Sequence, residues 1–190
     1  MAALVSRRTF TAGLSGIVFA FSLDPKIASA QPAKLPGSLD NNRMLDAWIR
    51  INADGTATVC TGKVELGQGI VTALAQIAAE ELDLPLARVH MISGDTGRTP
   101  DEGVTSGSQS IEYGGTALRL AGAEVRAILV ELAGKRLSMG VDTLRVADGK
   151  IIATDGRTIG YGDLAADVDL KREATGKVPP KPSTAHTIVG

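Results

Sequence analysis

The run Thr56-Ala57-Thr58-Val59-Cys60-Thr61-Gly62-Lys63-Val64-Glu65-Leu66-Gly67-Gln68-Gly69 passes from an apolar, β-branched stretch through a glycine-flanked loop into Ile70-Val71-Thr72-Ala73-Leu74-Ala75-Gln76-Ile77-Ala78-Ala79-Glu80-Glu81-Leu82. Thr56 to Thr61 suits a strand. From Ile70 the period changes. Ile70, Ala73, Leu74, Ile77, Ala78 and Leu82 recur three and four apart, which is helical spacing, until Pro85 stops the pattern. Upstream, Met44 to Ile51 is a second apolar stretch, separated from the first by Asn52-Ala53-Asp54-Gly55. Its Asp-Gly pair tolerates positive φ, so the two stretches read as a β-hairpin. Downstream, Arg88 to Ser93 reads as a strand.

A longer helix follows the Gly- and Ser-rich run Gly103 to Gly107. Leu118, Ala121, Val125, Ile128 and Leu132 fall on one face, and the pattern predicts an end near Gly134. Thr143 to Ala147 and Lys150 to Ala153 flank Asp148-Gly149, a second hairpin signal. Strands and helices do not alternate regularly, which argues against a doubly wound sheet. The predicted class is α+β: β-hairpin, helix, strand, long helix and β-hairpin packed as one two-layer domain over residues 44–170. Residues 31–43, with two prolines, Gly37 and Asp40-Asn41-Asn42, read as a linker. Residues 171–190, with Pro179, Pro180 and Pro182 and no period, are expected to be an extended, solvated tail.

Composition narrows the function classes. The chain has 190 residues, 44% hydrophobic, 22% charged and 3% aromatic, which excludes disordered, collagen-like and disulfide-rich classes. With 20 basic against 21 acidic side chains and a formal charge of -1, no nucleic-acid partner is expected. No apolar run approaches the roughly 20 residues needed to cross a bilayer, so no transmembrane span is expected. Ser6-Arg7-Arg8-Thr9-Phe10 precedes a weakly apolar stretch reaching Leu23, and Ala28-Ser29-Ala30 offers a small-residue cleavage site. Residues 1–30 therefore read as a twin-arginine export signal, which places the protein in the periplasm. Removing them takes away all three phenylalanines and leaves Trp48, Tyr113 and Tyr161, so an aliphatic core is expected. Cys60 is the single cysteine, lies in an apolar run and reads as a structural thiol.

Chemistry concentrates in two segments. In Gly62 to Gly69, the glycines around Gln68 let backbone approach a ligand, and the helix that follows offers free N–H groups to an anion. The segment matches neither G-x-G-x-x-G nor a P-loop, and local chemistry fits a ligand-free turn as well as a phosphate or cofactor site. Ser93 to Ser110 is long for a plain connection. Its hydroxyls and glycine amides suit phosphate oxygens, while Ser108 or Ser110 could equally cap the next helix. Asp95, Asp101 and Glu102 match no hard-metal spacing, Glu80-Glu81 read as solvated charges, and His90 and His186 lack further ligands.

Taken in order, Thr61-Gly62-Lys63-Val64-Glu65-Leu66-Gly67-Gln68-Gly69-Ile70, Ala75-Gln76-Ile77-Ala78-Ala79-Glu80-Glu81-Leu82, Gly94-Asp95-Thr96 and Thr99-Pro100-Asp101-Glu102-Gly103 resemble the molybdopterin-binding large subunit of the xanthine dehydrogenase family. The resemblance is nearest to the isoquinoline 1-oxidoreductase β-subunits, a branch of the aldehyde and N-heterocycle oxidoreductases. It implies a molybdenum hydroxylase holding molybdenum as a molybdopterin cytosine dinucleotide, with a [2Fe-2S] cluster on a small partner subunit and a cytochrome c as electron acceptor. It implies cofactor binding by Gly67, Gln68 and Gly69, with Gln68 hydrogen-bonding an oxo ligand of molybdenum, and by Thr105, Ser106, Gly107, Ser108 and Gln109 along the pterin and its phosphates.

A family large subunit continues well beyond this length and carries its catalytic base in a later segment. Neither Glu65 nor Glu102 matches that base, so no catalytic residue is assigned to this chain. The expectation is an incomplete piece, inactive alone, that packs against the remaining large-subunit domains through an exposed apolar patch. Two alternatives stand beside it: a non-catalytic exported cofactor-binding or assembly module, and an unrelated α+β domain whose glycines only make turns.

Overall fold

Ile49–Ile51 (β1) and Ala57–Thr61 (β2) pair antiparallel, with Ile49 opposite Val59 and Ile51 opposite Ala57. Gly55, at φ +81, closes the turn by donating its N–H to Asn52 O at 2.9 Å, and the Asp54 carboxylate accepts the Thr56 amide and hydroxyl. β1 is shorter than the apolar stretch it comes from because Leu45–Ala47 closes a 3₁₀ turn. That turn buries Leu45 and Trp48, whose indole N–H donates to Asn42 O at 2.7 Å. The computed structural model describes residues 33–189, so the expected leader at residues 1–30 lies outside the described residues.

Helix α1 (Ile70–Leu82) has the bounds its period predicts and carries the chain over to Val89–Ser93 (β3), which pairs parallel to β2 with Thr61 opposite Ser93. Asp83, at φ 50, ends α1 by donating its N–H to Glu80 O, and Pro85 follows where the helix cannot continue. Helix α2 (Thr116–Leu137) is preceded by a π-helical turn, Ser110–Gly115, and runs past the expected end at Gly134. The reversal is made instead at Ser138, φ 55, with the Met139 amide folding back onto Gly134 O at 2.9 Å. Gly134 thus receives the returning chain from inside the helix, and the cations Lys135 and Arg136 suit its C-terminal dipole.

Leu144–Ala147 (β4) and Lys150–Ala153 (β5) form the second hairpin about Asp148 and Gly149, at φ 50 and 68, the positive pair a type I′ turn needs. Thr158–Gly160 (β6) adds a strand absent from the sequence-based order, and Tyr161–Leu164 (α3) follows it. The class is α+β as expected, with its strands divided between two three-stranded sheets, β1-β2-β3 and β4-β5-β6. Leu74, Ala78 and Leu82 of α1 and Leu118, Val125 and Leu129 of α2 meet Ile49, Ile51 and Val59 of the first sheet and Ile151 of the second in one aliphatic core. All these elements belong to one unit, Lys34–Gly190. Among the described residues no helix is long and apolar enough to cross a membrane.

The stretches flanking residues 44–170 are part of this unit. Leu35 and Leu39 are buried, and the Leu45 and Ala174 amides bond Arg172 O and Arg43 O, pairing one flank with the other. The C-terminal stretch cannot build a regular ladder through its prolines, so its amides use side-chain acceptors. Glu124 accepts the Thr175 and Gly176 amides. Glu81 accepts the Lys181 amide, and one oxygen of Glu80 accepts the amides of Thr187, Ile188 and Val189 at 2.8, 2.6 and 3.1 Å. Glu80 and Glu81, expected as solvated charges, are only 2% and 1% exposed because this segment covers them.

Two outcomes follow from these joints. The buried Tyr161 hydroxyl donates to Leu82 O at 2.9 Å, satisfying a carbonyl at the end of α1. Tyr161→Phe is expected to lower stability by about 1 kcal/mol in urea unfolding, with the slope unchanged. Burial alone would raise Glu80, but the Lys181 ammonium and the amides of Ile188, Val189 and Thr187 outweigh it and hold the carboxyl at about 2, against an ordinary 4.5. A lowered folded value means stabilisation that is present above pH 4.5 and lost as the pH falls toward about 2. Amide exchange at Thr187 to Val189 is therefore expected to lose protection across that acid window before the β5 amides do.

Candidate functional site

Parallel pairing of β2 and β3 makes the loops after them, residues 62–69 and 94–109, leave the same sheet edge, the carboxyl ends of neighbouring strands where ligands of open parallel sheets commonly bind. The two loops are pressed together. A Cβ at Gly62 would lie 2.4 Å from Pro100 O, so only glycine admits the crossing chain. The Glu102 carboxylate accepts the Thr61 hydroxyl at 2.6 Å and the Gly62 amide at 2.8 Å. Lys63, 1% exposed, donates its ammonium to Glu102 O at 2.7 Å and Val104 O at 2.9 Å. The Val64 amide donates to Thr105 Oγ1 at 2.9 Å, which joins the two segments singled out by the sequence.

Beyond this contact the loops open to solvent. Gly67 and Gly69 have φ of +95 and +78, conformations that L side chains rarely adopt, and a Cβ at either would meet nothing within 4 Å. Gly103 and Gly107 face equally open space. Gln68 turns back on its own loop: Oε1 accepts the Leu66 amide at 2.5 Å and Nε2 donates to Val64 O at 3.0 Å. An amide nitrogen carries two hydrogens, so one is left to donate outward. Ser106, Gly107, Ser108 and Gln109 are exposed and Thr105 is half-buried. Ser106 Oγ donates to Gln109 Oε1 at 3.3 Å, and no side chain caps the π-helical turn or α2.

The N-terminus of α1 corrects one expectation. The Glu65 carboxylate occupies this end, accepting the Val71 amide of the first turn at 3.2 Å and the Gly67 and Gly69 amides just before the helix, each at 2.8 Å. The Gly69, Val71 and Gly67 amides hold this carboxyl below its usual range. Asp95 and Asp101 likewise serve local amides, those of Gly97 and Gly103. Among the described residues no three His, Cys, Asp or Glu side chains are grouped to hold a metal ion. Burial raises the Cys60 thiol, as for a structural cysteine.

Lys63 and Glu102 carry the geometry although sequence reasoning gave neither a role at this site. Their bonds span about 40 residues, and no local pattern signals them. A cleft of about 920 Å³ lined by Leu35, Gly37, Asn42, Asp101, Glu102 and Tyr113 lies beside the loops and contains none of the predicted cofactor residues. The predicted residues instead form an open surface. Val64, Leu66, Val104, Ile111 and Tyr113, on these loops and the π-helical turn, account for five of the eight exposed large apolar side chains among the described residues, Leu66 and Val104 being 75% and 74% exposed.

The sequence profile of the molybdopterin cofactor-binding domain matches residues 7–187. A nicotinate dehydrogenase chain of Pseudomonas putida is 37% identical over 148 residues, which cover 78% of this chain and 12% of that one. The β-subunit of isoquinoline 1-oxidoreductase from Brevundimonas diminuta is 34% identical over 133 residues, 66% of this chain and 17% of its own. The crystal structure of quinoline 2-oxidoreductase from Pseudomonas putida 86 matches 66% of this chain and 18% of its own with a TM-score of 0.56 and 26% identity. The chain therefore spans less than a fifth of each of these proteins.

Replacing Glu65 tests how the Gln68 loop is held. Glu65→Ala is expected to speed amide exchange at Gly67, Gly69 and Val71 severalfold, and Glu65→Gln less, with the β5 amides unaffected.

Proposed function

The chain belongs to the molybdopterin cofactor-binding domains of the molybdenum hydroxylase oxidoreductases, and from that premise we propose that it is the cofactor-cradling portion of an exported hydroxylase acting on aldehydes or N-heterocycles, inactive by itself. The observation that supports this reading is the Val64–Thr105 bond, which ties the loop carrying Gly67-Gln68-Gly69 to the start of the exposed segment Thr105–Gln109. The residues fit a large flat ligand: four glycines with clear space above them, the Ser106 and Ser108 hydroxyls, and the unspent Gln68 N–H.

Gln68 would donate to an oxo ligand of the metal, and residues 105–109 would lie along the pterin and the phosphates of its cytosine dinucleotide. The bound group supplies the molybdenum redox centre. The chain's own share is to present neutral donors from a loop whose Gln68 is already oriented by Leu66 and Val64. The apolar rim of Val64, Leu66, Val104, Ile111 and Tyr113 is the surface proposed to be covered by the remaining large-subunit domains. A [2Fe-2S] subunit and a cytochrome c complete the proposed electron path. Export rests on Arg7-Arg8 and Ala28-Ser29-Ala30, with the mature chain starting at Gln31.

The test is metal and pterin analysis of the native complex purified through this chain, with mass spectrometry of its subunits. Molybdenum, a pterin dinucleotide and a [2Fe-2S] subunit are expected. In the complete assembly Gln68→Ala is expected to lower turnover by about a hundredfold, the scale of losing one preorganised donor. Its effect on stability is expected to stay within about 1 kcal/mol, since the site is exposed. A metal-free monomer beginning at Gln31 would overturn the hydroxylase reading in favour of a non-catalytic module.

A further inference from the structure

Between the two loops, Lys63 and Glu102 grip each other's segments, and we infer that they are a positioning pair, fixing the register between the Gln68 loop and Thr105–Gln109. The inference rests on the reading of the open face as the cofactor site. The grip is reciprocal. The Lys63 ammonium holds the carbonyls of Glu102 and Val104, just before Thr105, while the Glu102 carboxylate holds the Thr61 hydroxyl and Gly62 amide, just before Lys63. Either hold alone would leave a hinge. Together they fix both spacing and slide, as two separated clamps do for any pair of strands.

The connection to Gln68 runs through Val64. Its amide bonds Thr105 Oγ1 and its carbonyl accepts Gln68 Nε2 at 3.0 Å, so displacing Lys63 moves both partners of the face at once. The Lys63 carbonyl is anchored from β3 as well, by Ser93 Oγ at 2.7 Å. Glu102 Oε1 is buried without a hydrogen-bond partner and lies where a Cβ on Gly114 would come within 2.6 Å of it, wedged against the π-helical turn. An unpartnered buried carboxylate oxygen opposes folding, and an apolar side chain of equal volume would fill the space without that penalty. What the carboxylate adds is its fixed hold on Thr61 and Gly62. The hydrogen bonds of both side chains go to the loop segments themselves, so both act through the loops.

The test uses the full chain, the exposed Lys177→Met as control, and amide exchange together with the molybdenum and pterin content of the purified complex. Lys63→Met, which removes both hydrogen bonds of the ammonium, is expected to speed exchange at the hydrogen-bonded amides of Gly62 and Val64 by about tenfold or more. The β5 amides are expected to stay unchanged, and cofactor content to fall. Glu102→Ala is expected to do the same, and Glu102→Gln, which keeps an acceptor for Thr61 and Gly62, to restore protection; this pair decides the matter if Lys63→Met does not fold. Exchange at wild-type rates, a rise spread evenly into β5, or loosened loops with undiminished cofactor would each overturn the inference. A wild-type complex without molybdenum sinks the cofactor reading, whereas unaltered exchange in a molybdenum-loaded variant sinks only the positioning pair.

Discussion

A lysine ammonium that is almost wholly buried has to find its hydrogen bonds within the protein, because an unpaired charge in an apolar interior costs several kcal/mol. Lys63 finds them in two carbonyls of a loop that has no strand or helix of its own over residues 94–109. That requirement sets the loop's path. Once Glu102 and Val104 are drawn to Lys63, Thr105 comes to the Val64 amide, and the glycines on either side are left facing outward. The requirement is met only because β2 and β3 run parallel, with Thr61 beside Ser93, so that both loops start from one edge. The position of the candidate face thus descends from strand pairing through a single buried charge.

The same device recurs where the C-terminal stretch meets α1 and α2. The aliphatic core joins the regular elements, whereas the irregular segments are joined by charged side chains to backbone groups that have no ladder to enter. Glu80, Glu81 and Glu124 collect amides from the C-terminal stretch, and Arg119 and Arg126 of α2 pair with Glu81 and Asp83. Such joints are directional and depend on ionisation; burial of Leu74 or Leu129 is neither. At Glu80, whose carboxyl is held at about 2, this ties the hold on Thr187, Ile188 and Val189 to ionisation, which the aliphatic core does not need.

The regular elements were legible in the sequence for physical reasons that the structure makes plain. Leu74, Ala78 and Leu82 face one core, so the helical period had the observed bounds, and Asp148-Gly149 sits at the two positive φ values that its dipeptide suggests. β6 escaped because three residues are too short for a period, although Asp155-Gly156, with Gly156 at φ +89, marks the turn before it. Glu80 and Glu81 looked solvated because the segment covering them lies about 100 residues away. The segments of the candidate face stood out by their glycines, hydroxyls and length, the resemblance attached a cofactor to them, and the Val64–Thr105 bond joins them. The Lys63 and Glu102 contacts went unseen, since a buried long-range polar contact leaves no local trace.

Glu65 bears on what kind of recognition this face performs. A phosphate seeking the N-terminus of α1 would have to displace a carboxylate that already holds the Val71 amide of its first turn together with the Gly67 and Gly69 amides just before it, and that is stabilised in its charged form by them. An internal carboxylate thus already faces this helix end, and under the proposed reading anion contacts fall to the serine hydroxyls and remaining backbone amides of residues 105–109. These donors are neutral and sit over a layer in which the charges of Lys63 and Glu102 are already engaged below. A neutral, open cradle orients a large ligand without enclosing it. Under the proposed reading, enclosure comes from a surface laid over the exposed Leu66 and Val104.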